Sequence, residues 1–196
     1  MKILLAAVTG LLLLAGLPAM FAPSIAADEA HPAFDKAVPG YEYRFPADHG
    51  AHERFRTEWW YYTGQVTAAN GRRFGFELTF FRRGIPPDQV QTLPSKWSIQ
   101  QLYLAHFALT DLGAGRFYYA DKVSRDGFGK AGAETGRLRA WVDRWSVLMD
   151  ERTPPHHHLQ AETEDVAITL DLLAEKSPVL HGRDGISRKG ADPGQA

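Results

Sequence analysis

Three features of this 196-residue chain place it in the all-β class, as an antiparallel sandwich or barrel. Short strand-like runs recur between turn signals, one long hairpin is aromatic on both faces, and no segment has the period of an amphipathic helix. The hairpin is the centre of the pattern. Glu58-Trp59-Trp60-Tyr61-Tyr62-Thr63-Gly64 and Phe74-Gly75-Phe76-Glu77-Leu78-Thr79-Phe80-Phe81 flank Asn70-Gly71. A two-residue type I′ turn needs positive φ at both central positions, and Asn-Gly adopts it at little cost.

Counting outward from that turn sets Thr67 opposite Phe74, Gln65 opposite Phe76, Thr63 opposite Leu78, Tyr61 opposite Phe80 and Glu58 opposite Arg83. Side chains alternate with period 2, so Trp59 and Tyr61 share a face with Phe76, Leu78 and Phe80. The other face carries Glu58, Trp60, Tyr62, Phe81, Thr79 and Glu77. A sheet that meets water on one side alternates apolar with polar, so two aromatic faces predict cover on both sides, as in a closed barrel packed against something else.

Before the hairpin, Lys2, the apolar run over residues 3–17 and Ser24-Ile25-Ala26 have the three-part form of a secretory signal peptide. Cleavage after Ala26 and a periplasmic or secreted location are expected. Pro18 and Pro23 interrupt the run and no basic flank follows, which disfavours a membrane anchor. Residues 27–51, rich in Pro, Gly and Ala, read as an irregular lead-in with one possible short strand over residues 41–45. About 170 residues then remain, enough for one domain.

Without Lys2 the basic count is 22 − 1 = 21 against 23 acidic side chains, a net charge near −2 that argues against nucleic acid. Cysteine is absent, so disulfides, thiolate nucleophiles and Cys metal sites are excluded.

After the hairpin, Pro86, Pro87 and Pro94 mark a loop over residues 84–95. Residues 97–110 alternate again, with Ile99, Gln101, Tyr103, Ala105, Phe107 and Leu109 on one side. Asp111-Leu112-Gly113-Ala114-Gly115 turns this strand into another at residues 116–120, and the glycine-rich residues 122–136 read as loop. Residues 138–149 fit one strand, or two around Asp143-Arg144, with a helix as the competing reading. Residues 158–162 and 166–172 form a third hairpin with Val166, Ile168, Leu170 and Leu172 facing one way. From residue 175 onward, Pro, Gly and scattered charge describe a linker. The barrel domain thus spans residues 52–174.

Few residues suggest chemistry. His156 and His158 would share a strand face and could take a metal with a third ligand, but after Pro154-Pro155 a polar loop is the simpler reading, and no metal is expected. His106, in an apolar strand, reads first as a hydrogen-bonded core residue. Glu58 heads a covered strand, and a buried carboxylate must be paired or neutralised, so an ion pair with Arg83 is favoured over proton donation or ligand contact. No nucleophile-elbow spacing and no phosphate loop is present.

Arg56-Thr57-Glu58-Trp59-Trp60-Tyr61, the run Phe74 to Arg82, Ala105-His106-Phe107-Ala108 with Asp111, and Gly182-Arg183-Asp184-Gly185-Ile186-Ser187-Arg188-Lys189-Gly190 occur in the order seen in the carotenoid 1,2-hydratase family. The chain resembles that family, which also includes AttH-like secreted proteins labelled predicted hydrolases. The resemblance implies two lipocalin-like antiparallel β-barrels in tandem, no cofactor, and in hydratase members water addition to a terminal C=C bond of acyclic carotenoids. It implies that residues 175–196 lead toward a second barrel, absent here, which holds the acidic motif tied to catalysis. No stretch of this chain matches that motif, so no catalytic residue is assigned.

The expected function is therefore that of an N-terminal domain helping to enclose an apolar carotenoid, isoprenoid or lipid. Its expected partners are that ligand, the second barrel and, by proximity, a membrane surface. The alternative is a non-catalytic lipid-binding or scaffold domain of the cell envelope, since a barrel of about eight strands can be packed solid. Glu58, Trp60, Tyr62, Glu77 and His106 are the candidate ligand-binding residues, because a ligand site combines aromatic walls with a few polar groups. Trp59, Tyr61, Phe76, Leu78 and Phe80 are the expected core.

Overall fold

A computed structural model describes residues 34–90, 98–150, 152, 154–182, 184–187 and 190. The expected signal peptide and residues 191–196 lie outside them. The described residues are all-β, in two antiparallel sheets. Strands β1 (Thr57–Thr67), β2 (Arg73–Gly84), β3 (Gln101–Asp111) and β4 (Arg116–Arg125) pair in sequence order in the first. Strands β5 (Ala131–Ala133), β6 (Arg139–Val142), β7 (Trp145–Met149), β8 (His156–Glu162) and β9 (Ala167–Leu173) pair in order in the second. The sheets are not joined edge to edge into a closed barrel: β1 and β9 are both edge strands.

The central hairpin forms where expected, with a different turn. Gly71 N–H donates to the Ala68 carbonyl and Ala68 N–H to the Arg72 carbonyl, each at 2.8 Å, and Gly71 has φ +81° while Asn70 is not at positive φ. This is a three-residue loop closed by one left-handed glycine. One extra loop residue slips the register by one, so Tyr61 faces Thr79 and Glu58 faces Arg82. Trp60 and Tyr62 therefore join Phe76, Leu78 and Phe80 on the inner face. Trp59 and Tyr61, expected in the core, point outward and are 53% and 61% exposed. The expectation that both faces are covered fails with them.

The alternation read in β3 holds: Tyr103, Ala105, Phe107 and Leu109 are all buried. Strand β4 continues to Arg125 and β5 follows, where loop was expected, because cross-strand partners override a glycine-rich local sequence. Asp143, at φ +52°, turns β6 into β7, so residues 138–149 are two strands and not a helix. Residues 41–45 form no strand. The core lies between the sheets and is filled by Leu78, Phe80, Phe107, Val142, Trp145, Val147 and Leu159, each under 2% exposed. A core filled in this way leaves the edges and outer faces of the sandwich as the places for other molecules.

Candidate functional site

The chain ahead of β1 seals one flank of the sandwich. A single 3-10 turn, Ala47–His49, leads to Gly50, which lies so close to the backbone of Gly136 and Arg137 that a Cβ would sit 2.7 Å from both amide nitrogens. Ala51 N–H donates to the Glu134 carbonyl at 2.7 Å. Backbone packing fixes this turn where composition alone indicated only irregular chain.

The turn carries two polar groups into the space beside β1. The His49 carbonyl accepts Trp60 Nε1–H at 2.9 Å, and the His49 ring lies 6.0 Å from that of His157, edge to face. Tyr62 Oη and His157 Nδ1 are 2.7 Å apart, linking β1 to β8 across the sheets. Burial pushes the Tyr62 phenol well above its ordinary value. It lowers both imidazoles, His157 further through proximity to His49. Both rings are therefore neutral at pH 7, and the phenol stays protonated and donates. The result is a half-buried cluster of aromatic rings, two neutral imidazoles and one hydroxyl, with the Phe45 ring tilted against His49 at 4.6 Å between centroids.

Below it lies a charge network. Glu58 Oε1 is 2.6 Å from His52 Nδ1, and Glu58 Oε2 accepts His52 N–H at 2.8 Å and Arg82 Nε–H at 3.3 Å. Arg82 is 1% exposed, and its Nη2 donates to the carbonyls of His52 at 2.8 Å and Phe55 at 2.7 Å. Burial opposes charge on His52, but bonds to Glu58 and then Asp48 outweigh it and raise its pKa. Both Glu58 oxygens are thus occupied. The ion pair expected for Glu58 exists, with Arg82 in place of Arg83 as the register dictates. A cleft of about 410 Å³ opens beside Arg82, with Glu53, Gly84, Ile85 and Gln101 among its walls.

Of the candidate ligand residues, Glu58, Trp60 and Tyr62 share the inner face. Glu77 and His106 lie on the outer face. There Glu77 accepts Thr79 Oγ1–H at 2.9 Å, and the His106 ring lies between Phe81 (5.1 Å) and Tyr119 (6.1 Å). Sequence reasoning missed His49, His52, Arg82 and His157. Of these, His157 alone had a signal, since its neighbours His156 and His158 alternate away from it.

Those neighbours point outward into a surface cluster. His156 Nδ1 is 2.6 Å from Asp171 Oδ1, His158 Nε2 is 3.0 Å from Asp150 Oδ2, and Arg152 pairs with both aspartates. Among the described residues no three His, Asp or Glu side chains are arranged to hold a metal ion.

The AttH-like family model matches residues 36–196. The crystal structure of an AttH candidate from Nitrosomonas europaea superposes with a TM-score of 0.70 at 33% identity, over 83% of this chain and 47% of that one. The chain thus spans about half the length of that relative. No curated protein matches the sequence.

Proposed function

The chain belongs to the AttH-like family, and we propose that it acts as an exported, lipocalin-like domain that holds an apolar isoprenoid or lipid at the mouth formed by Trp60, Tyr62, His49 and His157. One observation carries this reading: aromatic walls converge there with a phenol and two neutral imidazoles, the mixture suited to an apolar body with one polar end. Closure of a barrel between the edge strands β1 and β9 would place the mouth at the seam. Export fits the leader pattern, and N-terminal sequencing of secreted material is expected to begin near Ala27.

Cofactor-free hydration of a C=C bond is the activity proposed for the longer protein, with a second lipocalin-like barrel as partner. That step needs a strong general acid and a dry site that tolerates a carbocation, which aromatic faces stabilise. Trp60 and Tyr62 suit the second need. Glu58 does not suit the first, since Arg82 and His52 engage both its oxygens. A scaffold role is the second reading, favoured by the core that Trp145, Phe80 and Phe107 fill between the sheets.

Titration with a fluorescent polyene fatty acid separates the two. Saturable binding that weakens in Trp60→Phe and His157→Ala, at unchanged unfolding midpoint, supports the ligand reading. Absence of saturable binding supports the scaffold.

A further inference from the structure

The outer face of the first sheet has no partner among the described residues, and its composition is that of an interface. Across the four strands, Trp59, Phe81, Leu104 and Val123 form one wholly apolar row by register. Tyr61, Thr79, His106 and Asp121 form the next, and Tyr119 and Phe117 continue the apolar character on β4. Trp59, Tyr61, Phe117, Tyr119 and Val123 are 53–67% exposed. Arg83 and Arg73 mark the two ends of the face on β2. The exposed aromatic side chains stand on the outer strands β1 and β4, the row of Trp59, Phe81, Leu104 and Val123 joins them across the sheet, and isolated soluble domains rarely leave so large an apolar surface bare.

We propose that this face is the contact between two copies of the chain, packed sheet on sheet about a two-fold axis. The size fits. Four strands about 4.8 Å apart, each 10 to 12 residues long, cover roughly 19 by 36 Å, or about 700 Å² per partner. The total, about 1,400 Å², falls in the range of specific interfaces.

The pattern is also self-complementary. An axis running along the strands between β2 and β3 lays β1 over the partner's β4 and each row over itself. Trp59 then meets the partner's Val123, and Phe81 meets the partner's Leu104. The Tyr61 hydroxyl comes within reach of the partner's Asp121. Glu77, already bonded to Thr79, meets the small side chain of the partner's Ala108. Two copies also carry about the amount of chain that the Nitrosomonas europaea relative has in one, since this chain spans 47% of it.

Sedimentation equilibrium of the purified chain over a wide concentration range tests this, with Trp59→Ser, Val123→Lys and, on the opposite sheet, Gln160→Lys as variants. All three positions are exposed or project outward, so the unfolding midpoint should stay within error of the parent. The parent is expected to be a reversible dimer. Trp59→Ser and Val123→Lys each raise its dissociation constant about tenfold or more, as loss of a large apolar contact or burial of a charge does, and Gln160→Lys leaves it unchanged. A chain that stays monomeric throughout, including one that instead pellets with lipid vesicles, overturns the proposal. So does a dimer that both face variants leave intact.

Discussion

The outer faces of the two sheets differ in kind. On the first, five large apolar side chains stand more than half exposed on the two outer strands, β1 and β4. The second presents Arg139, Ser146, His158, Gln160, Thr169 and Asp171 by register, with Leu148 and Leu173 as its aliphatic members. Its one large aromatic, Trp141, lies against the bare backbone of Gly132, has Arg139 over its ring at 5.0 Å, and donates its Nε1–H to the Gly129 carbonyl at 3.0 Å. One sheet thus pairs polar side chains to meet water, and the other keeps an aromatic surface uncovered. A sandwich needs only its inner faces to fold, so the composition of an outer face reports what it meets.

Mutations on inner and outer faces should separate that comparison most widely. Phe80→Ala, at 1% exposure, is expected to cost about 3 to 5 kcal/mol by leaving a cavity. Tyr61→Ala, two strand positions from Trp59 on the outer face, should stay within about 0.5 kcal/mol in dilute solution. Urea unfolding of both variants measures the contrast; equal losses would mean that the outer face is packed after all.

Next in size is Arg82→Met, which strips partners from Glu58 and two backbone carbonyls in a buried setting. A loss of about 3 kcal/mol is expected. Arg83→Met, at the neighbouring position that sequence register had favoured, should change stability little. The two midpoints decide which arginine neutralises Glu58.

The reason sequence alone chose the wrong arginine is instructive. Period-2 alternation identified which residues of a strand share a face, as in β3 and in Ile168, Leu170 and Leu172 of β9. How two strands align depends on the loop, and Asn70-Gly71 is compatible with a two-residue or a three-residue connection. The choice moved Trp60 and Tyr62 onto the face of Phe76, Leu78 and Phe80, and moved Trp59 and Tyr61 off it. The mouth was half legible for the same reason: Glu58, Trp60 and Tyr62 come from a readable strand. His49 and His52 come from a segment held by backbone contacts to Glu134, Gly136 and Arg137, which leave no trace in local sequence.

Titration should give a smaller effect, with opposite signs at the two ends of the flank. The pKa of His52 is raised, so its contribution is full below the unfolded value of about 6.5 and is lost as pH rises through the higher folded value. Those of His49 and His157 are lowered, so they favour the folded state above about 6.5 and penalise it as pH falls. His52→Gln should therefore flatten the loss of stability above neutrality, and His157→Gln should lessen the loss in mild acid. Unfolding midpoints across this range check both signs. Smallest of all, His158→Ala on the polar face should cost no more than about 1 kcal/mol, as exposed ion pairs do.

The central claim is the one-residue register that assigns adjacent aromatics of β1 to opposite faces, and hydroxyl-radical footprinting read by mass spectrometry tests it most directly. At a concentration low enough for the chain to be monomeric, Trp59 and Tyr61 should oxidise readily while Trp60 and Tyr62 are protected. Faster oxidation of Trp60 and Tyr62 than of Trp59 and Tyr61 would contradict the register, and with it both the mouth and the outer aromatic face.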